Sequence, residues 1–477
     1  EAGKAMTTNA KNVIIGFQSL LAANAGETAN VSIGYQAMSA VDHADSDANV
    51  VIGRGAGTGG AGQFDSNIAI GSEALNSTGS NTMSGAVAIG HNALTALTTG
   101  AANTAIGYAS MDAATTSANN VALGYNSLTS AVDSCNSNVA VGVQALQNLT
   151  VGTNSGAGSN SVNGNIGVGY NAFGSASLGS FSDSNNRAIL GNIAIGKNAL
   201  DATAGNPHTG SVAIGHEALT ALTSGAGNTA IGYQSLTALD DAQEGNTALG
   251  WQAGASIDDN SAHYNTIVGY LAGTGGSGTM VSCVAIGANA LNSTAGNNMN
   301  GAVAVGKDAL TACTSGEDNT ALGYRAGDTI TTGAGNVYIG YDADASANDV
   351  NDEIVLKAGS DALVGGGTET VRIGVDSDYI TNDFGENATW THSSDRRIKK
   401  DIEDSELGLD FINDLRPVTF KKKAPSEYPQ EFDQYSANTT ERKNPDRKHY
   451  GFIAQEVKEA MDKAGHSEFP VWKENKD

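Results

Sequence analysis

Short apolar runs that end in glycine recur along most of the chain. Residues 211–236 contain this unit twice, as VAIG at 212–215 and as TAIG at 229–232. Each run is too short for an ordinary helix, and its alternation of side chains is typical of a β-strand. The sequence therefore predicts that every unit begins with a short strand.

The glycines that close these runs are regularly spaced. Successive glycines are 17 to 19 residues apart, except for two steps of 27 residues that follow Gly142 and Gly169. A fixed period of this length is the signature of a solenoid, in which one repeat forms one coil. We predict a mainly β chain in which the repeats stack as a parallel β-roll. The glycines are Gly16, Gly34, Gly53, Gly71, Gly90, Gly107, Gly124, Gly142, Gly169, Gly196, Gly215, Gly232, Gly250, Gly269, Gly287, Gly306, Gly323 and Gly340.

The side chains of one strand are expected to face in two directions. Alternation puts Ile68 and Ile70 on one face and Ala69 on the other. We predict that the Ile or Val before the glycine points into the coil, as Ile214 would. Leu75, which follows the glycine by a few residues, is expected to be the second apolar residue of the coil interior.

The predicted core of a single chain is small. Each coil offers two or three large apolar side chains, and aromatic residues make up 6% of the chain. Such a core is weak against the entropy that is lost when the chain is ordered. We therefore expect a homotrimer, or a similar rotational assembly, that buries a second face of each coil.

Two residue types recur at fixed positions of the unit. Asn leads many units, where stacked amides could form a hydrogen-bonded ladder or where Asn could only suit a turn. Tyr or Trp often follows the glycine, and such a column could bind sugars or pack between subunits. The asparagines are Asn12, Asn49, Asn67, Asn103, Asn120, Asn138, Asn165, Asn192, Asn228, Asn246, Asn265, Asn319 and Asn336, and the aromatic residues are Tyr35, Tyr108, Tyr125, Tyr170, Tyr233, Trp251, Tyr270, Tyr324 and Tyr341.

The SVAIG and NTAIG coils of residues 11–345 resemble the head repeats of trimeric autotransporter adhesins. The resemblance implies a left-handed, trimeric, parallel β-roll. Because that family's coil is usually shorter, longer surface loops are expected here. The extra residues of the two long steps are expected at 152–163 and 175–186, as loops that either carry a ligand site or serve no binding role.

Composition divides the chain near residue 390. Residues 1–390 hold 9 Lys and Arg against 32 Asp and Glu, whereas residues 391–477 hold 16 against 18. Five of the six prolines also follow residue 390. We expect a repeat shaft over 1–345, a β transition module over 346–392 and a small α+β module over 393–477.

The charge balance and the absence of long apolar runs exclude several functions. A net charge of −25 argues against nucleic acid or an anionic membrane as a partner. The chain has no apolar run that predicts membrane insertion or a secretory signal. Three cysteines do not make a disulfide framework. We place Cys135 in a linker and expect Cys283 and Cys313 to be small packing residues.

One acidic segment was considered as a metal site. Asp42, Asp45 and Asp47 could together hold Ca²⁺, but the segment lacks the fixed glycine and terminal glutamate of an EF-hand loop. A solvated loop is the favoured interpretation, and His43 beside it is expected to be a surface residue. We therefore predict neither a metal nor a cofactor.

Three separate motifs follow residue 393. They are SDRRIK at 394–399, LRPV at 415–418 and GFIAQEV at 451–457. They resemble, in the same order, the intramolecular chaperone domain of phage tail spikes and endosialidases, the peptidase S74 family. The resemblance implies a domain that trimerises, drives folding of the fibre before it and then cuts itself off.

By the same match, Ser394 is the nucleophile, Lys399 is its base and His449 is a third functional residue, with cleavage between Ser393 and Ser394. This implies a serine-lysine endopeptidase that acts once, in cis. A lysine crowded by other cations suits the role of base, because its pKa is lowered. The family usually closes with long helices, whereas this sequence stops at Asp477, so a truncated domain or a weakened assembly is expected.

Local patterns predict the elements of this last module. A helix is predicted over 406–415, ended by Pro417, and a strand over 418–420. A polar loop should follow over 424–448, and a second helix should span 455–463, with Gly465 at its end.

These inferences favour a phage tail fibre or tail spike that is located in the virion. Its partners would be other tail proteins and a glycan or protein receptor on the host cell. One alternative is a bacterial or prophage trimeric surface adhesin, extracellular or on the cell surface. Another is a glycan depolymerase, which needs paired carboxylates. That alternative is disfavoured because no coil presents an obvious pair.

Overall fold

The computed structural model divides into two compact units, Glu1–His392 and Ser393–Asp477, which we describe separately. The structure describes residues 2–6, 11–24, 26–79, 81–131, 134–150, 161–175, 177–178, 188–202, 204–205, 208–240, 242–275, 278–293, 298–376, 378–385, 391–392, 407–421, 423–429, 437, 440 and 448–465.

The first unit consists of short strands. In chain order they are β1 (Val13–Ile15), β2 (Val31–Ile33), β3 (Val50–Ile52), β4 (Phe64–Asp65), β5 (Ile68–Ile70), β6 (Met83–Ser84), β7 (Val87–Ile89), β8 (Thr104–Ile106), β9 (Val121–Leu123), β10 (Cys135–Asn136), β11 (Val139–Val141), β12 (Ser161–Asn163), β13 (Ile166–Val168), β14 (Ser177–Leu178), β15 (Ala188–Leu190), β16 (Ile193–Ile195), β17 (Ala204–Gly205), β18 (His208–Thr209) and β19 (Val212–Ile214). They continue as β20 (Gly225–Ala226), β21 (Thr229–Ile231), β22 (Thr247–Leu249), β23 (Thr266–Val268), β24 (Met280–Val281), β25 (Val284–Ile286), β26 (Met299–Asn300), β27 (Val303–Val305), β28 (Thr320–Leu322), β29 (Val337–Ile339), β30 (Ala343–Asp344), β31 (Ile354–Ala358), β32 (Leu363–Val364), β33 (Thr370–Val375), β34 (Asp378–Asp383) and β35 (Thr391–His392).

The three-residue strands before the coil glycines stack in parallel, one coil on the next. In β19 and β21, Val212 pairs with Thr229 and Ile214 pairs with Ile231. The same register holds across a long step, where Ile166 pairs with Ile193. This arrangement confirms the prediction of a mainly β, parallel solenoid with one coil per repeat.

The inward face of these strands is the opposite of the one predicted. Ala213, the middle residue of β19, is fully buried, whereas Val212 and Ile214 on either side are only partly buried. The prediction that Ile214 points into the coil was therefore wrong. The middle residue of each strand is the inward one, most often alanine but also Val51, Ile267 and Tyr338, which are fully buried as well, and the first and third residues form an outer face.

Leucines after the glycines fill the rest of the coil interior, as predicted. Leu75 and Leu94 are fully buried within a core that continues from Leu20 to Leu363. The backbone reaches these positions through a tight turn, in which Glu73 and Leu75 have φ values of 59° and 51°. The turn thus forces non-glycine residues into the left-handed region in order to aim the leucine inward.

The asparagines form a ladder along the core. The side-chain amide of Asn49 donates to Oδ1 of Asn30 at 2.9 Å, and its backbone N–H donates to the same oxygen at 2.9 Å. Where the next coil lacks asparagine, a backbone N–H still uses the oxygen, as Ala86 does with Asn67 at 2.9 Å. The ladder interpretation is therefore confirmed over the turn-only one.

The two long steps are not simple loops. Ser161–Asn163, predicted within a loop, is strand β12 and pairs with β10 and β15 in a second parallel sheet. Val162 is fully buried there and belongs to the core. Cys135, predicted in a linker, is buried in β10 and belongs to the same core. In the second predicted loop, Ser177–Leu178 is strand β14 and pairs in parallel with β17. The other residues of the two predicted loops, except Ser175, fall outside the described residues, Phe181 among them.

Cys283 and Cys313 are buried free thiols, as expected of packing residues. Burial raises the pKa of the Cys283 thiol to about 11 and also raises that of Cys313. Both thiols therefore stay protonated and unreactive at neutral pH.

The solenoid pattern ends in a hairpin. β31 and β33 still stack in parallel, but β34 turns back antiparallel to β33, and β35 pairs antiparallel with β34. At this end Glu353 replaces the ladder asparagine. Its carboxylate accepts the N–H of Gly367 at 2.7 Å and the hydroxyl of Tyr338 at 3.3 Å. Burial and this neighbouring carboxylate raise the pKa of Tyr338.

The coil glycines form a column in which no side chain fits. All eighteen have φ values between 123° and 147°, which favour glycine. A Cβ on any of them would lie closer than 3.0 Å to the backbone of the next coil. The repeat therefore requires glycine here for two reasons, its backbone conformation and the close approach of successive coils.

Gly215→Ala should destabilise the fold by roughly 2–5 kcal/mol, the sum of backbone strain and overpacking between coils. Gly227→Ala is the matched control, because Gly227 has a φ of 67° but open space around its Cβ position. The control should lose only about 1–2 kcal/mol. Urea unfolding followed by circular dichroism measures both, and equal losses would contradict the packing argument.

Candidate functional site

The described part of the second unit contains two helices and two strands. They are α1 (Leu409–Asp414), β36 (Val418–Phe420), β37 (His449–Gly451) and α2 (Ala454–Lys463), with a short 3₁₀ turn at Pro425–Glu427. The helices and β36 are close to the predicted elements. β37 was not predicted. The only sequence pattern that could have indicated this strand is the alternation around Tyr450, which is short and borders a polar segment.

β37 brings two of the sequence motifs together. It pairs antiparallel with β36, so that Val418 lies opposite Gly451 and Phe420 lies opposite His449. The LRPV and GFIAQEV motifs, more than thirty residues apart in sequence, are therefore neighbours in one small sheet. The α1 helix before β36 and the α2 helix after β37 then face each other, and Lys463 binds Asp414 at 2.8 Å.

An ion pair links the same two motifs. Arg416 donates from Nε to Glu456 Oε2 at 3.0 Å, and its terminal nitrogen also binds the other carboxylate oxygen. These hydrogen bonds lower the pKa of Glu456 and raise that of Arg416. Both residues lie within the sequence motifs, but their contact was not predicted. Their opposite charges were the available signal, although they do not reveal the pairing.

His449 is the one predicted site residue that the described structure places. Its partly buried ring stacks on Phe420, with ring centroids 5.4 Å apart and an interplanar angle of 22°. Ser393, Ser394 and Lys399 lie outside the described residues. The roles of Ser394 as nucleophile and Lys399 as base therefore stay predictions.

The first unit offers a second candidate surface, the outer face, formed by the first and third residues of the coil strands. Val13, Ile15 and Leu322 on this face are 48%, 57% and 49% exposed. Since one such face runs through every coil, it is a continuous apolar stripe. Exposed apolar stripes of this extent mark contact surfaces.

The aromatic residues after the glycines form a column beside the outer face. Tyr108 and Tyr125 stack with ring centroids 5.3 Å apart, and Tyr233 and Trp251 stack 4.1 Å apart. The faces of the paired rings are thus turned toward each other, and Tyr108, Tyr125 and Trp251 are about half exposed. Sugar binding on aromatic side chains uses ring faces, so this geometry favours subunit packing over sugar binding.

Two cations in this column have carboxylate partners. Arg54 binds Glu73 at 2.9 Å, and Lys307 binds Asp308. Lys307 also lies 5.2 Å from the ring centroid of Tyr324. These pairings remove net charge from this side of a strongly acidic chain.

Two side chains of the acidic segment at 41–47 accept hydrogen bonds from backbone N–H groups. Asp47 Oδ1 accepts the N–H of Thr28 at 2.5 Å, and the ring of His43 accepts the N–H of Asp45 at 3.3 Å. Within the described residues, no group of three or more His, Cys, Asp or Glu side chains could hold a metal ion. Nor does the described structure contain a helix both long and apolar enough to cross a membrane.

Comparison with protein families gives one match. Residues 394–466 match the family model Peptidase_S74, described as the chaperone of endosialidase. This segment is a chaperone of endosialidase domain. The match includes the β36–β37 sheet and the Arg416–Glu456 pair of the described structure. Comparison with curated proteins found no match. A β-solenoid followed by a chaperone of endosialidase domain fits a tail fibre or tail spike with a C-terminal chaperone.

Arg416→Ala should raise the pKa of Glu456 toward its ordinary value, because the guanidinium holds it low. Since the folded-state pKa lies below the unfolded one, the pair stabilises the domain above about pH 4.3 and ceases to do so as the pH falls through the lowered value. Carboxyl NMR titration of the glutamate-labelled chain measures the shift. Lys458→Ala, which removes a separate pair with Asp462, should leave Glu456 unchanged. If the pKa of Glu456 is the same in the wild type and in the Arg416→Ala variant, the pair does not form.

Proposed function

We propose that this protein is a phage tail fibre or tail spike that attaches the virion to its host, and that the C-terminal domain trimerises and folds the shaft and then cleaves itself off. The observation that carries the proposal is the succession of a long β-solenoid and a chaperone of endosialidase domain in one chain. The partners would be other tail proteins and a glycan or protein receptor on the host surface.

The outer face supports the trimer. A single chain leaves its Ile, Val and Leu columns partly exposed in coil after coil, and about half exposed in some, as at Ile15 and Leu249. Full burial of one such side chain contributes about 1.5–3 kcal/mol relative to exposure. Because these side chains are already partly buried in the single chain, an assembly that covers this face gains a fraction of that free energy in each coil.

The charge pattern supports a second copy of the chain as the occupant of the face. Identical chains of net charge −25 repel each other unless the contact surface is neutral. Two cations beside the outer face, Arg54 and Lys307, are paired with carboxylates of the same chain, Glu73 and Asp308. Apolar strands, stacked rings and balanced charges together favour contact with the same surface of another subunit.

Ile214→Asp should leave each coil folded but convert the trimer to monomers, because the new charge lies on the outer face. Ala213→Asp should instead unfold the coil, since it buries an unpaired charge in the interior. Ala101→Asp, at an exposed linker position, is the control and should do neither. Sedimentation velocity measures the oligomeric state of each variant, and circular dichroism measures its folding. If the Ile214→Asp variant forms the same trimer as the wild type, the outer face is not the surface through which the subunits assemble.

The proposed cleavage follows from the adjacency of Ser394 to the bond it cuts. Lys399 accepts the hydroxyl proton while Ser394 Oγ attacks the carbonyl carbon of Ser393. The C–N bond then breaks, the proton passes to the amine of Ser394, and the carbonyl is left as an ester on Oγ. Water hydrolyses this ester to a carboxylate on Ser393 and restores the hydroxyl. Because the nucleophile is held beside its target, proximity replaces a substrate pocket.

Ser394→Ala and Lys399→Ala should each abolish cleavage and still give folded trimer, because both residues act in chemistry. The wild type should yield residues 1–393 and an 84-residue product (residues 394–477) on denaturing gels. His449→Phe keeps a ring against Phe420 and should slow cleavage only if the imidazole acts in the reaction. A wild type that trimerises and stays uncut would remove the protease role and leave the chaperone role.

The alternative of a bacterial or prophage surface adhesin predicts a different location. Antibody raised against the shaft should label phage tails in electron micrographs if the chain is a virion component. Label on the cell envelope, with unlabelled tails, would favour the adhesin.

A further inference from the structure

The outer face of the coils continues into the hairpin at the end of the shaft. Leu322 pairs with Ile339, and Ile339 pairs with Leu356, so the third residues of these strands stay in register. Leu356 pairs in turn with Ile373 of β33. The chain then reverses, and Ile380 of β34 lies opposite Ile373. One apolar column therefore runs from the parallel coils into the antiparallel hairpin.

The sheet is wider here than in the coils. β31 has five residues and β33 has six, whereas a coil strand such as β28 has three. The additional residues pair beyond the point at which a coil turns at its glycine, since Ala358 lies beside Val375 and Val375 lies opposite Asp378. The apolar column and this added row border a groove with a volume of about 730 Å³.

Aliphatic side chains of the outer face form most of the groove, namely Ile339, Leu356, Ile373, Val375 and Ile380. Val375 is 56% exposed and Ile380 is 41% exposed, so the groove is open in the single chain. Lys357 also borders it, but its ammonium donates to the backbone carbonyls of Tyr341 and Gly359. The lining thus offers one carboxylate, that of Asp378, and otherwise suits apolar side chains.

Rotational symmetry determines what this groove meets in the proposed trimer. Identical chains related by an axis along the shaft contact each other at equal heights. Coils then face coils, and the groove faces the same end of the next copy, which presents the same exposed Val375 and Ile380. Because the groove is continuous with the outer face, a neighbour that covers Leu322 and Ile339 also reaches it.

We propose that this groove is the docking site for strands β31, β33 and β34 of a neighbouring copy of the chain. The inference rests on the proposed trimer and adds the surface through which the ends of the shafts meet. This contact differs from those between coils, because the antiparallel hairpin occurs once in the described part of the shaft. A neighbour displaced by one coil would present a three-residue strand to the groove and leave its own hairpin uncovered.

Photo-cross-linking in the full-length chain tests the occupant directly. Val375 is replaced by the photoreactive residue benzoylphenylalanine. The control carries the same replacement at Val364, which is 46% exposed and does not line the groove. After irradiation, the Val375 variant should give a chain-to-chain product on denaturing gels, linked to β31, β33 or β34 of the second copy by peptide mass spectrometry. The control should give less than a tenth of that product.

Sedimentation velocity of the unmodified chain distinguishes this inference from the proposed function. A monomer would overturn the trimer and the docking site together. A trimer whose Val375 variant is linked only within its own chain, to a coil of another copy, or not at all would overturn the docking site and leave the trimer standing.

Val375→Arg supplies a second measurement if benzoylphenylalanine prevents assembly. A charge placed in a covered apolar groove should lower the guanidinium concentration at which the trimers dissociate. Val364→Arg adds the same charge outside the groove and should leave that concentration unchanged. Equal dissociation midpoints for the two variants would overturn the docking site.

Discussion

The close approach of successive glycines is the constraint on which the shaft depends. Each coil glycine lies so near the backbone of the next coil that a Cβ has no room, and its φ favours glycine as well. This contact sets the spacing at which the strands pair in register and at which the asparagine amides reach one another. One small residue type thus fixes both the sheet and the polar ladder. The column ends where Lys357 takes the glycine position, next to the hairpin that closes the shaft.

The repeat, the strands, the leucine interior and the number of coils could be predicted from the sequence, because spacing and alternation are properties of one chain. Which face of each strand points inward could not be predicted. Alternation shows that Ile68 and Ala69 face opposite ways, but assigning the larger residue to the inside assumes that a chain buries its own apolar groups first. Here the middle residue that faces inward is alanine in most coils, and the isoleucine beside it is left for a surface. A pattern that is apolar on both faces therefore signals an assembly as well as a fold.

In the C-terminal domain, too, some features could be predicted from the sequence and others could not. Three motifs identified the C-terminal domain because each is a local string of residues in a fixed order. The contacts between motifs are not local, so neither the pairing of Phe420 with His449 nor the ion pair of Arg416 with Glu456 could be read from the sequence. The aromatic column shows a related limit. Its periodicity was visible, but only the stacked geometry shows that ring faces are already occupied by neighbouring rings.

The regularity that makes the shaft stable also creates a problem of register in the proposed trimer. Successive coils present nearly the same outer face, so two chains displaced by one coil lose contact only at their ends. Interactions between neighbouring coils add along a solenoid and discriminate weakly between such alignments. A segment without repeats can align three chains in only one way. A trimerising domain placed directly after the shaft therefore supplies the register that the repeats lack. Once the coils are aligned, their many small contacts keep the alignment, and the domain is no longer needed.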